Sequence, residues 1–141
     1  MLDQMLLNLT KAGPARKLVN TATEGFAEAL YEISASLFRE RAYEPSLLYC
    51  QTALFLHPEL DVAHMQLADI YAATGNYDMA VSAFQAIPSS SPYAWSTRIR
   101  MADSLNEIGE TEKALKELRS LALQQPERVD PLLALADMLR L

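Results

Sequence analysis

The sequence predicts an all-α fold, a solenoid of antiparallel helix pairs stacked side by side. Three observations predict it. Pro58, Pro92 and Pro126 stand 34 residues apart, a period that marks one supersecondary unit copied along the chain. Apolar columns keep the same step: Ile33, Leu67, Met101 and Leu135; Leu37, Tyr71, Leu105 and Leu139; Cys50, Phe84 and Leu118. Small residues do too, in the columns Ser34, Ala68, Ala102, Ala136 and Ser46, Ala80, Ala114, while Gly75 and Gly109 share a column of their own.

Residues 1–20 stand outside the repeat and read either as an N-terminal extension packed loosely on the first unit or as the remnant of a preceding helix. Met5, Leu6, Leu7 and Leu9 suggest a short helix, followed by a break at Gly13 and Pro14 and a basic stretch at Arg16 and Lys17. Residues 21–141 form the array, in units of about 27–60, 61–94 and 95–128 and an unpaired helix over 129–141. In the first unit, Thr21 and Glu24 have capping-box spacing and start a helix that runs to about Arg39. Arg41 stands where the glycine column predicts glycine, so a different turn is expected there, and Pro45 is expected to start the second helix. In the second unit, Leu60, Ala63, His64, Leu67, Ala68, Ile70 and Tyr71 recur at helical spacing until Gly75, and a second helix spans about Tyr77 to Ala86. The third unit is expected to open with Ser91 as cap and Pro92 at the first helical position, to pause at Gly109, and to resume from Thr111 to about Leu123. Residues 128–141 read as the first helix of a fourth unit whose partner helix is missing. Leu132, Leu133, Leu135, Met138, Leu139 and Leu141 leave that helix little polar face, so the expectation is a fragment of a longer array, or a homodimer through this helix.

Composition narrows the function. The net charge is −6, spread as about +2 over residues 1–20, −7 over 21–92 and −1 over 93–141. Without Lys or Arg clusters the chain lacks the counterion-releasing surface of a nucleic-acid binder. The single cysteine, Cys50, excludes an internal disulfide, and its column makes it a buried, inert thiol. No apolar run approaches the roughly 20 residues of a membrane span. The acidic head of the N-terminus argues against a signal peptide.

Catalysis needs converging groups, and none are visible. His57 and His64 lie beside an inter-unit proline and in a packing column. Strings of the HExxH, GxGxxG, GxxxxGK[ST] and GxSxG types do not occur. Equivalent acidic residues belong to helices about 10 Å apart, too far for a carboxylate dyad. No catalytic residue, cofactor or metal ligand is expected.

The columns resemble the tetratricopeptide repeat, whose W-x2-L-G-x2-Y, A-x3-F, P spacing is matched by His64, Leu67, Ala68, Tyr71, Ala80, Phe84 and Pro92, and again by Arg98, Met101, Ala102, Leu105, Ala114, Leu118 and Pro126. Leu30, Ile33, Ser34, Leu37, Ser46, Cys50, Ala53 and Pro58 give a weaker first copy. Trp95 departs from the pattern by three residues, as either a packed ring at an inter-unit joint or an exposed anchor. The resemblance implies a right-handed superhelix whose first helices line a concave groove that holds peptides or partner helices, and so a non-catalytic protein-interaction scaffold. A spacer or self-associating module of a larger protein, attached to an enzyme domain elsewhere, is the alternative.

Two first-helix columns are candidates for the groove. Asp69, Asp103 and Asp137 repeat, and Tyr31, Met65, Ile99 and Leu133 precede that column by four residues, on the same helix face. The expectation is an acidic ladder beside an apolar stripe. Family members that hold carboxylate-terminated tails use Lys, Asn and Arg here, so the expected partner is instead an apolar segment carrying Lys or Arg. The other reading of the ladder is aspartates that solvate the wall or bond to neighbouring helices. The repeats look bacterial, which implies cytoplasm or periplasm.

Overall fold

A computed structural model describes residues 21–140. The expectations for residues 1–20 and Leu141 lie outside the described residues. Seven helices follow one another among the described residues: α1 Ala22–Arg39, α2 Tyr43–Leu56, α3 Asp61–Ala73, α4 Tyr77–Gln85, α5 Ala94–Glu107, α6 Thr111–Gln124 and α7 Asp130–Leu139. Each helix packs on its sequence neighbour, and α1 also meets α3 and α5 meets α7. The first helices of successive units thus form one wall of the stack.

The start of α1 is as the sequence predicts: Thr21 Oγ1 accepts the Glu24 N–H at 3.1 Å. Two later starts differ. Helix α2 begins at Tyr43, two residues before Pro45. Pro45 then falls in the first turn, where a missing N–H leaves no intrahelical bond unmade. Helix α5 begins at Ala94, not at Pro92. Ser91 spends its hydroxyl on the Tyr93 N–H at 3.2 Å and its carbonyl on the Ala94 N–H, so Ser91 and Pro92 make a turn before the helix.

The turn after α1 is a correction. Arg41 takes φ 60°, beside 77° at Gly75 and 82° at Gly109. The hydrogen bonds repeat as well: Arg41 N–H to Phe38 O and Ala42 N–H to Leu37 O match Gly75 to Ala72 and Asn76 to Tyr71, and Gly109 to Asn106 and Glu110 to Leu105. All three are the same glycine-type helix ending, satisfying carbonyls that the last turn leaves free. In the first unit an arginine adopts the left-handed backbone that the other two give to glycine.

The core runs along the stack in three linked clusters. Ala68, Tyr71, Ala80, Ala83 and Phe84 form the middle one. Cys50, Ala63 and Ile70 join α2 to α3, and Ala102, Ala114, Leu118 and Leu121 join α5 to α6. Ala68 and Ala102 are fully buried, which lets the paired helices approach while Phe84 and Leu118 fill the space between them. In the first unit the small pair is Ser34 and Ser46, fully buried and reciprocally bonded: Ser34 Oγ donates to Ser46 O at 2.8 Å and Ser46 Oγ to Ser34 O at 2.9 Å. Ala136, expected to allow close approach like Ala68, is exposed, because no helix follows α7 among the described residues to lie against it.

Trp95 is a packed joint. Its indole N–H donates to Asp130 Oδ2 at 2.9 Å, and Arg128 stacks on the ring with its guanidinium carbon 4.7 Å from the centroid. Cys50 is buried, its thiol bonds the Ala63 carbonyl, and burial pushes its pKa up to about 12, so it carries no thiolate near neutrality. His64 Nε2 meets the Pro58 carbonyl at 2.8 Å, fastening the start of α3 to the preceding loop.

Candidate functional site: the wall of first helices

Helices α1, α3, α5 and α7 present three clefts along their shared wall. The first, about 750 Å³, lies where the beginnings of α1 and α3 meet the loop before α5. Glu28 and Glu32 come from α1, Glu59 and Asp61 from the approach to α3, and Tyr31 and Tyr93 supply two aromatic rings. No basic residue lines it among the described residues. Burial, then the nearby Glu32, raises the Tyr31 hydroxyl above its ordinary pKa, so this ring stays neutral beside the carboxylates.

The second cleft, about 380 Å³, is central. Asp69 of α3 and Arg100 of α5 form an ion pair within it, and Phe38, Tyr77, Phe84 and Asp103 complete most of the lining. The Arg100 guanidinium carbon is also 5.8 Å from the Phe84 centroid. Burial pushes the Asp69 carboxyl above the usual aspartate range, with Arg100 pulling the other way. Asp103 is likewise raised by burial against the pull of Arg100, with Asp137 and Glu107 adding to the rise. The third cleft, about 220 Å³, joins Asp103, Asn106 and Glu107 of α5 to Ala134, Asp137 and Met138 of α7.

The candidate columns therefore separate. Asp69 and Asp103 share the central cleft, Asp103 and Asp137 the third, and Tyr31 belongs to the first. Met65, Ile99 and Leu133 line none of these three clefts. Met65 is half-buried, Ile99 packs against the α5–α6 core, and Leu133 is exposed. The aspartates run along the wall, but an arginine pairs with the first of them and the apolar column is dispersed.

Arg100 was invisible to column reasoning because its column reads Glu32, Gln66, Arg100 and Ala134, with no repeated residue type. The acids of the first cleft also escape it: Glu59 lies in the loop between α2 and α3, and neither it nor Glu28 has an acidic counterpart 34 residues on. The one sequence signal for them was the concentration of negative charge over residues 21–92.

Residues 62–92 match the family model of the tetratricopeptide repeat. Those 31 residues are thus similar to one tetratricopeptide repeat. Solved tetratricopeptide domains share the chain's fold over most of its length. The tetratricopeptide domain of Arabidopsis OM64 superposes with a TM-score of 0.73 at 10% identity, covering 83% of this chain and 97% of that one. The second tetratricopeptide domain of human RPAP3, in complex with an HSP70 peptide, gives 0.73 at 13%, covering 83% and 98%. MamA gives 0.67 at 20%, covering 75% and 57%. At these identities the likeness is one of fold. No curated protein sequence matches the chain. The array thus comprises stacked helix pairs without strands among the described residues. No described helix is long and apolar enough to cross a membrane, and no cluster of described His, Cys, Asp or Glu side chains suits a metal ion.

Proposed function

We propose that this array is a non-catalytic protein-interaction scaffold whose wall of first helices receives a peptide or helix segment bearing apolar side chains and Lys or Arg. The single observation that carries this reading is the first cleft: four carboxylates and two tyrosine rings around about 750 Å³, with no basic residue among the described lining. A cation entering there meets opposite charge and two π faces. Tetratricopeptide domains of similar fold are solved with HSP70 and HSP90 peptides, which supports peptide binding as the general mode. An acidic tail is disfavoured in this chain, because the carboxylates of Glu28, Glu32, Glu59 and Asp61 would repel it.

In the central cleft Asp69 is already matched by Arg100, so the proposal places the basic side chain of the partner in the first cleft and leaves Asp103 and Asp137 as secondary contacts. The test uses two peptides that differ only in charge, an alternating Leu/Lys peptide and its Leu/Glu counterpart, titrated against the full chain. The basic peptide should bind, and Glu32→Lys with Asp61→Lys should weaken it about tenfold or more, with strong dependence on salt. Asp69→Lys should do less. Equal affinity for both peptides, or indifference to the double reversal, would sink the reading.

A second reading has its own observation. Val129, Leu132, Leu133 and Leu139 are exposed along α7, Leu133 at 62%. Self-association through this helix would cover them. Sedimentation of the Leu132→Glu, Leu133→Glu variant separates the two readings: a dimer lost on substitution supports self-association, and a monomer throughout removes it.

A further inference from the structure

Positive charge is missing from the middle of the array, for no Lys or Arg occurs between Arg41 and Arg98. It returns in the third unit, where most of it is spent at once. Arg98 pairs with Glu117, Arg100 with Asp69, Lys113 with Glu110 and Arg128 with Asp130. Lys116 and Arg119 enter no ion pair among the described residues. Both are exposed on α6 and, with Leu123, help to line a shallow depression of about 450 Å³ that no described acidic residue enters. Lys116, Arg119 and Leu123 stand at i, i+3 and i+7, on one face of the helix, and Leu123 is 82% exposed. The acid that shares this face, Glu112, lies a turn earlier and outside the depression. The other second helices, α2 and α4, contain no Lys or Arg.

This face of α6 complements the first cleft in charge and in spacing. Glu28 and Glu32 stand one turn apart on α1, as Lys116 and Arg119 do on α6, so two helices laid side by side form two ion pairs in step. Neither glutamate is paired with a described cation. Tyr31 and Tyr93 add aromatic rings on which a cation can rest. Lys116 to Leu123 spans about 10 Å of helix, enough for one cleft and short of the whole wall. Leu123 meets an apolar part of the lining in Leu60 and Val62. Within one molecule the two surfaces belong to different units, and α1 does not pack on α6. The complementary face must therefore come from another molecule.

We propose that α6, through Lys116, Arg119 and Leu123, docks in the first cleft of a second copy of this chain, an inference that rests on the reading of that cleft as a site for a basic, apolar segment. The contact joins unlike surfaces, so a bound pair can still offer a cleft and an α6 face to further copies, and the assembly extends or closes into a ring.

The test is sedimentation of the full chain over a range of concentrations, with two charge-reversed variants. Glu32→Lys with Asp61→Lys spoils the cleft and keeps α6; Lys116→Glu with Arg119→Glu spoils α6 and keeps the cleft. The unaltered chain should associate, less so as salt rises. Each variant alone should associate about tenfold or more weakly, and their equimolar mixture should recover a 1:1 complex, because each supplies the surface that the other lacks. Lys116→Gln with Arg119→Gln, which removes attraction without adding repulsion, should lose less than the reversal. A chain that stays monomeric while the alternating Leu/Lys peptide binds overturns this inference and leaves the reading of the cleft standing; a monomer that also ignores the peptide removes both. Association indifferent to both reversals overturns it in favour of pairing through α7, and a mixture that recovers no complex overturns it as well.

Discussion

Arg100 of α5 reaches back to Asp69 of α3 and ties two first helices together across the floor of the central cleft. Removing the arginine leaves a largely buried carboxylate without its partner. Arg100→Ala should therefore destabilise the chain by about 1–2 kcal/mol, measured by urea denaturation. It should also drive the Asp69 carboxyl further upward in a carboxyl NMR titration. An unchanged Asp69 would show that the pair is not formed in solution.

The serine pair of the first unit gives a sharper test, because the second and third units hold alanines at the same two places. Ser34→Ala or Ser46→Ala alone removes one hydroxyl-to-carbonyl bond and the Oγ···Oγ contact at 3.0 Å that both serines share, while the other hydroxyl keeps its carbonyl, and should cost about 1 kcal/mol. The double substitution reproduces the Ala68–Ala80 and Ala102–Ala114 pairs and should cost clearly less than the sum. Additive losses in the double-mutant cycle would contradict this account.

At the turn after α1, a non-glycine residue occupies φ 60°. Arg41→Gly relieves the contact between Cβ and backbone, and loses part of the gain through the greater freedom of an unfolded glycine. The net expectation is a stabilisation of about 0.5–1 kcal/mol, seen as a higher denaturation midpoint. Gly75→Ala and Gly109→Ala should move it the other way, since both hold positive φ although a Cβ would meet nothing within 4 Å. The strain is therefore in the backbone alone.

The aspartates predict opposite responses to acid. Asp69 and Asp103 have folded pKa values above the ordinary 3.8, so folding favours their protonated forms, and the stability they withhold at neutral pH returns as pH falls through those values. Asp130 is held below 3.8 by hydrogen bonds from Arg128 and Trp95, so its contribution is present above the ordinary value and disappears as pH falls through the folded one. Carboxyl NMR should show Asp69 and Asp103 titrating before Asp130 on acidification. Because Trp95 is the chain's single tryptophan, its fluorescence should change in step with Asp130.

How much of this was legible beforehand follows from what a repeat encodes. Positions that pack against the same neighbour in every unit must keep the same size, so Ala68, Ala102, Phe84 and Leu118 announced themselves by register. Helix ends were legible where glycine marks them, and misread at Arg41 because the conformation was kept while the residue type was not. The site was less legible. Asp69 and its equivalents stood out as a column, but the charge that neutralises Asp69 comes from a column without any pattern. The first cleft draws residues from two helices and two loops, and such convergence has no period to detect.

Contacts among the described helices run between neighbours, with α1 meeting α3 and α5 meeting α7, and α1 does not pack on α6 or α7. Such an arrangement behaves as a spring: small rotations at each joint add along its length, and no single joint bears the whole bend. The distance between the first cleft and the third is thus an elastic variable set by the joints at Arg100 and Trp95. An occupant spanning both clefts would select a curvature as well as a charge pattern, and stiffening either joint would change which lengths of occupant fit.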